Sequence, residues 1–361
     1  MRATVRRQIK SRLPILKRVL IGLLLILLVL GVWNVKTRAD TYHITGQVIW
    51  DLVSSSNQSV KQYGGRTNIV LLGIGGEIHE GGDLTDTIMV VSLGFEPKDI
   101  VLISFPRDIW VPSFKDKINA SYRTGEAKLR GGGFILSKSV VEEISGLPIH
   151  YAVLIDFAGF TRLIDLVGGV DVTIERSFTD PWYPISGKEN DLCDGDLTYA
   201  CRYETVSFTQ GIEHMDGARS LKYVRSRHSE GDEGTDFSRG RRQQEILLAL
   251  KNKILESMSL RNISLLEHIV SEVNRSARSD IPFGEALVLG RMILKSSQNM
   301  RRTALTQDIP EKKLKGLLIN PPQLEYNNLW VLVPKHQDNT HISGFIQCYI
   351  EGKSDCEKFL D

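Results

Sequence analysis

Four polar segments of this 361-residue chain carry residue types and spacings that could do chemistry. The most informative is Leu221 to Gln244, LKYVRSRHSEGDEGTDFSRGRRQQ. Arg225 and Arg227 close a helical or strand-like element, and a Gly-rich acidic loop follows. Arg239, Arg242 and Gln243 then fall at i, i+3 and i+4, on one face of the next helix's first turn. Cations at a helix N-terminus oppose the macrodipole. A bound phosphate removes that conflict, because helix N-termini and arginines both favour it. The competing reading is a solvated basic face.

The second segment, GIGGEIHEGGDLTDT (Gly73 to Thr87), lies between two apolar runs. Its glycines let backbone approach a ligand, and Glu77, Glu80, Asp83 and Asp86 offer the oxygen donors that Mg²⁺ prefers. A flexible acidic hairpin loop would look the same. The third is SFPRD (Ser104 to Asp108), where Pro106 turns the chain and Arg107 can present a rigid fork to phosphate. An ordinary surface salt bridge is the alternative. The fourth, KINASY (Lys117 to Tyr122), means little alone. No Walker loop, G-x-S-x-G elbow or H-E-x-x-H occurs, so nucleotide hydrolysis, serine hydrolysis and zinc proteolysis lose support.

These segments need a scaffold. NIVLLGI (Asn68 to Ile74), DTIMVVSLGF (Asp86 to Phe95) and DIVLISF (Asp99 to Phe105) read as buried strands, the last two joined as a hairpin through EPKD. Further strands are expected at HYAVLID (His150 to Asp156) and GVDVTIE (Gly169 to Glu175). FILSKSVVEEIS and FAGFTRLIDLV read as helices that stop at glycine. From Arg239, apolar Ile246, Leu247, Leu250, Ile254 and Leu255 mark one face of a long helix. The pattern indicates an α/β fold, or α+β, with a central mixed β-sheet covered by helices.

Composition agrees with a globular body: 42% apolar, 24% charged. The net charge of +2 hides nine Lys/Arg in the first forty residues against Asp40 alone. A basic tail on a mildly acidic body is not the footprint of a nucleic-acid binder. Val19 to Trp33 is an unbroken apolar or glycine run, and seven basic residues precede it. A single-pass anchor follows, with a cytoplasmic N-terminus and the body outside. No small-x-small cleavage site comes after it. In an oxidising exterior, two local disulfides, Cys193 with Cys201 and Cys348 with Cys356, are the simplest pairing, although four cysteines allow three connectivities.

Taken in order, NIVLLGI, LTDTIMVVSL, LISFPRDIWVP, KINASY, GGVDV and LKYVRSRH followed by DFSRGRRQQ resemble the LytR–CpsA–Psr family of envelope phosphotransferases, over roughly Thr67 to Ser257. The resemblance implies transfer of a glycan phosphate from a polyprenyl-pyrophosphate carrier to a wall acceptor, usually a peptidoglycan hydroxyl. It implies a hydrophobic tunnel for the polyprenyl chain and Mg²⁺ or Mn²⁺ as cofactor. Asp86 matches the family's metal ligand in S-D-T. Arg107, Arg227, Arg239 and Gln243 match residues lining the pyrophosphate, with Arg242 beside them, and Asp236 opens the last motif. Two positions depart from the pattern: Gly75 stands where the family commonly has a second metal-binding aspartate, leaving Glu77 or Asp83 to substitute, and Leu84 replaces an arginine.

The domain plan is a basic tail (1–18), an anchor (19–35), a stalk (36–66), a catalytic domain (67–258) and a mostly helical extension (259–361). The expected mechanism has Arg107, Arg227 and Arg239 clamping two phosphates while Asp86 holds the metal. Asp108, or a carboxylate of the acidic loop, deprotonates the acceptor. A non-catalytic binder of lipid-linked glycan and a polyprenyl-pyrophosphate hydrolase are the rival readings.

Overall fold

The computed structural model describes residues 45–360 apart from 55, 77–81, 258–270, 274, 297–299 and 310–314. The apolar run at 19–33, its basic flank and Glu77 lie outside the described residues. Among the described residues no helix is long and apolar enough to cross a membrane. The described residues form two units, those within 1–60 with 282–290, and those within 61–281 with 291–361. In the first, helix α1 (Gly46–Ser54) is tied by buried Asp51, whose carboxylate accepts from Ser59 N and Oγ at 2.7 and 2.6 Å.

The second unit is built on a six-stranded mixed sheet. Strands β1 (Arg66–Ile74), β2 (Thr85–Gly94) and β3 (Ile100–Phe105) form an antiparallel meander, and the expected hairpin is its second half. Helices α2 (Ser121–Lys128) and α3 (Gly132–Ser145) follow, then β4 (Tyr151–Asp156), which returns parallel to β1. Helix α4 (Phe157–Leu166) leaves β4 directly, capped by Asp156, whose Oδ1 accepts from Gly159 N at 2.6 Å.

Two ribbons stand apart from the main sheet. Strand β5 (Val170–Ile174), the expected GVDVTIE strand, pairs with β8 (Gly211–Met215), and β6 (Phe178–Pro184) pairs with β7 (Tyr203–Phe208). Helices α5 (Gly217–Arg225) and α6 (Asp236–Ser257) come next. Strands β9 (Ala277–Ser279) and β10 (Met300–Ala304) then complete the sheet in the order β9–β4–β1–β2–β3–β10, and α7 (Thr340–Ile350) follows near the C-terminus.

Residues 259–361 read in the sequence as a mostly helical extension. They supply both edge strands. A buried carboxylate fixes one of them: Asp99, beside β3, binds Arg66 of β1 at 2.8 Å and Arg301 of β10 at 2.5 Å. Such short strands, Ala-Arg-Ser and Met-Arg-Arg-Thr-Ala, carry too little apolar pattern to announce themselves.

Strand alternation assigns the faces. Val70, Leu72 and Ile74 of β1, Ile88 and Val90 of β2, and Val101 and Ile103 of β3 pack with α3 and α7 in one core. A second core joins α4, both ribbons, α5 and α6 through Ile164, Val172, Phe178, Phe208, Tyr223 and Ile246. Residues of opposite parity, Leu71 and Gly73 of β1 with Thr87 and Met89 of β2, face a cavity. Disulfides join Cys193 to Cys201, in the loop between β6 and β7, and Cys348 to Cys356 after α7.

Candidate active site

The cavity has a volume of about 360 Å³ and is lined from β1, β2, the loop after β3, β4, α4, the end of β6, α5, the loop after α5, and α6. Gly73 is required here: a Cβ would stand 2.9 Å from Thr87 Cβ across the β1–β2 ladder. Gly240 keeps α6 against β3, where an added Cβ would meet Ser104 at 3.3 Å, and Gln244 donates to Ser104 Oγ at 2.9 Å. With α6 held there, Arg239 and Gln243 on its first turns reach the cavity, and Gln243 Nε2 donates to Thr87 Oγ1 at 2.9 Å.

The segment after β3 and the distant segment that runs from α5 into α6 therefore deliver Arg107, Arg227 and Arg239 to one cavity, with Arg225 as a fourth. Two aspartates, Asp86 and Asp156, line it as well. Arg107 Nη1 donates to Asp86 Oδ1 at 2.5 Å, and Arg239 Nη1 lies 3.2 Å from Asp236 Oδ1. Arg227 has no such ion pair among the described residues. Its pKa is pushed below the usual arginine value by burial and by the charges of Arg107 and Arg239, which outweigh Asp86 and Asp236. Arg107 moves the other way: burial lowers its pKa, but Asp86, Asp108 and Asp236 together raise it. Its Nε is buried without a hydrogen-bond acceptor among the described residues, with Asp108 Oδ2 3.5 Å away. A buried guanidinium that burial and its cationic neighbours penalise, gathered with further arginines around one cavity, makes a site shaped for an anion.

The other expected residues are placed differently. Arg242 is 0% exposed and points away from the cavity. It donates to Tyr223 O and Glu233 O at 3.0 Å, to Glu233 Oε2 at 2.9 Å and to Ser226 O. It is a structural arginine, which corrects its grouping with Gln243 by helical spacing. Asp108 does not line the cavity either; its Oδ1 accepts from Lys117 Nζ at 2.7 Å, and its Oδ2 lies 3.5 Å from Arg107 Nε. Asp83 is solvent-exposed, 4.0 Å from Arg123, and also outside the lining. Leu84 does line it, where the family's arginine would stand.

For a divalent cation, the described donor set is Asp86, Asp156 and Thr87, all hard oxygens, as Mg²⁺ and Mn²⁺ require. Asp86 is 43% exposed with one oxygen outside its Arg107 bond, so it can take an ion that keeps water and phosphate ligands. The cluster Asp191, Cys193 and Cys201 is no rival site, since both sulfurs are in the disulfide.

Two lining residues went unread in the sequence. Asp156 reads there only as the last residue of the strand HYAVLID. His228 was the last letter of an arginine motif; its Nδ1 lies 3.7 Å from Asp180 Oδ1.

The LytR_cpsA_psr family model matches residues 34–338, so the chain belongs to the LytR–CpsA–Psr family. It is 26% identical over 226 residues to the polyisoprenyl-teichoic acid–peptidoglycan teichoic acid transferase TagU of Enterococcus faecalis, covering 60% of this chain and 62% of that protein. With the transferase TagV of Bacillus subtilis it shares 29% identity, over 57% of this chain and 47% of that protein. The regulatory protein MsrR of Staphylococcus aureus is 30% identical, over 64% and 61%. The chain thus aligns with about half to three-fifths of the length of these relatives. The crystal structure of B. subtilis TagV superposes with a TM-score of 0.55 at 24% identity, covering 80% of this chain and 99% of that one, which shows the shared α/β fold.

Proposed function

We propose that this protein transfers a glycan phosphate from a polyprenyl-pyrophosphate carrier to a hydroxyl of a cell-wall acceptor, peptidoglycan above all. The observation that carries the reading is the convergence of Arg107, Arg227 and Arg239 on one partly apolar cavity, at electrostatic cost to Arg227. A pyrophosphate relieves that cost, and Leu71, Met89, Ile155 and Phe160 offer surface to a lipid tail. The names of the TagU and TagV relatives point the same way.

In this mechanism the three guanidiniums bind the non-bridging phosphate oxygens and stabilise the charge that builds as the bridging bond breaks. Gln243, anchored on Thr87, orients the same head group. Asp86 is the residue that would hold Mg²⁺ or Mn²⁺, and the bound ion would supply Lewis-acid polarisation of a phosphate oxygen. The body works outside the cytoplasmic membrane, anchored through residues 19–35, where carrier and wall meet.

The test is to give the purified full chain a short-chain polyprenyl-pyrophosphate-linked sugar, Mg²⁺ and peptidoglycan fragments. Glycan phosphate joined to the fragments is the expected product. Release of polyprenyl phosphate alone would mean a hydrolase, and absence of turnover with retained binding would mean a non-catalytic binder.

A further inference from the structure

We infer that His228 is the general base that takes the proton from the acceptor hydroxyl, and that buried Asp180 positions it. The inference rests on the transfer reaction proposed above.

The titratable side chains lining the cavity, among the described residues, are Asp86, Asp156, His228 and four arginines. Asp86 is bonded to Arg107 at 2.5 Å, and Asp156 Oδ1 is spent on the cap of α4 at 2.6 Å. Arginine stays protonated. Asp108 does not reach the cavity and is paired with Lys117. Histidine is the side chain whose ordinary pKa suits proton uptake near neutrality.

His228 is also held as a base must be. Asp180, on β6, is 1% exposed. Its Oδ2 accepts from the backbone N–H groups of Arg227 and His228 at 2.9 and 3.3 Å, and its Oδ1 accepts from Trp182 N at 3.0 Å. One buried carboxylate therefore fixes the backbone of both the clamp arginine and the histidine. The same Oδ1 lies 3.7 Å from His228 Nδ1, too long for a hydrogen bond, though such contacts tighten when substrate binds. A proton on Nδ1 facing Asp180 leaves the Nε2 lone pair free. The imidazole is 38% exposed, open to an acceptor arriving from outside.

In the step, the acceptor O–H proton passes to Nε2 as the oxygen's electron pair bonds to the glycan-bearing phosphorus. The bond from that phosphorus to the bridging oxygen breaks, and its electron pair leaves on polyprenyl monophosphate. His228 then returns the proton to solvent.

The experiment compares wild type, His228→Gln and His228→Ala in the full-chain transfer assay. His228→Gln is expected to lower kcat by about 10²-fold or more, with KM for the lipid donor within about twofold. Imidazole should partly restore His228→Ala and leave His228→Gln unchanged. Asp180→Asn should slow the wild type, and its further cost in the His228→Gln background should be smaller, limited to the Arg227 backbone that Asp180 still holds. A His228→Gln rate within about threefold of wild type overturns the inference. So does a loss confined to donor KM, or a His228→Ala variant that imidazole does not restore. A wild-type chain that transfers nothing would instead refute the proposed function.

Discussion

Arg227→Ala is expected to lower the transfer rate by about 10²–10³-fold, the cost of removing one preorganised charge-stabilising donor, while the melting temperature stays at or slightly above wild type. The two effects run in opposite directions for one reason. Burial and the neighbouring charges of Arg107 and Arg239 hold the Arg227 guanidinium pKa below its ordinary value. A base whose folded-state pKa is depressed destabilises the folded state wherever it is protonated, which includes the whole neutral range. Deleting it removes that penalty together with the phosphate contact. Added inorganic pyrophosphate should raise the wild-type melting temperature more than the variant's, because a ligand that binds only the native state stabilises it by mass action. Thermal scans with and without pyrophosphate, beside the transfer assay, check both halves. A variant that is equally active, or one that melts well below wild type, would show Arg227 to be structural.

Arg242→Ala should do the reverse and unfold the protein readily. The side chain is 0% exposed, lies 4.7 Å over the Phe178 ring and serves three backbone carbonyls as well as Glu233. Removing it leaves Glu233, buried and still bonded to Arg241 at 2.5 Å, short of a partner, and strands carbonyls at both ends of the segment between α5 and α6. Breaking a buried pair on one side costs about 3–5 kcal/mol, which for a domain of this size lowers the melting temperature by roughly 10 °C. Arg242→Lys should rescue little, since an ammonium cannot replace a planar fork spread over these acceptors. Calorimetry of both variants checks this. A melting temperature within about 2 °C of wild type would contradict the structural role.

The contrast between Arg227 and Arg242 shows what the sequence could convey. The strands of the meander were legible because each is buried on both faces and so reads as a continuous β-branched run. The arginine segment was legible because cations crowd a helix start. Spacing alone could not separate Arg239 and Gln243, which face the cavity, from Arg242, which faces Tyr223 and Glu233. Helix α6 is covered on more than one side, between the sheet and the second core, so membership of one turn does not decide exposure. Asp180 sits in TDPWY and reads as a turn former, yet its carboxylate reaches 47 positions along the chain to Arg227. No local pattern encodes such a contact. The edge strands β9 and β10 were missed for a related reason: their place depends on partners far away, β4 for β9 and Asp99 for β10.

The most direct measurement is a binding titration with geranyl pyrophosphate, geranyl monophosphate and geraniol against wild type, Arg227→Ala and Arg239→Ala. If the arginine cavity is a pyrophosphate site, wild type binds the pyrophosphate most tightly, its affinity falls as salt rises, and each variant loses at least about tenfold. Equal affinity for geraniol and geranyl pyrophosphate, or variants that bind the pyrophosphate as tightly as wild type, would contradict it.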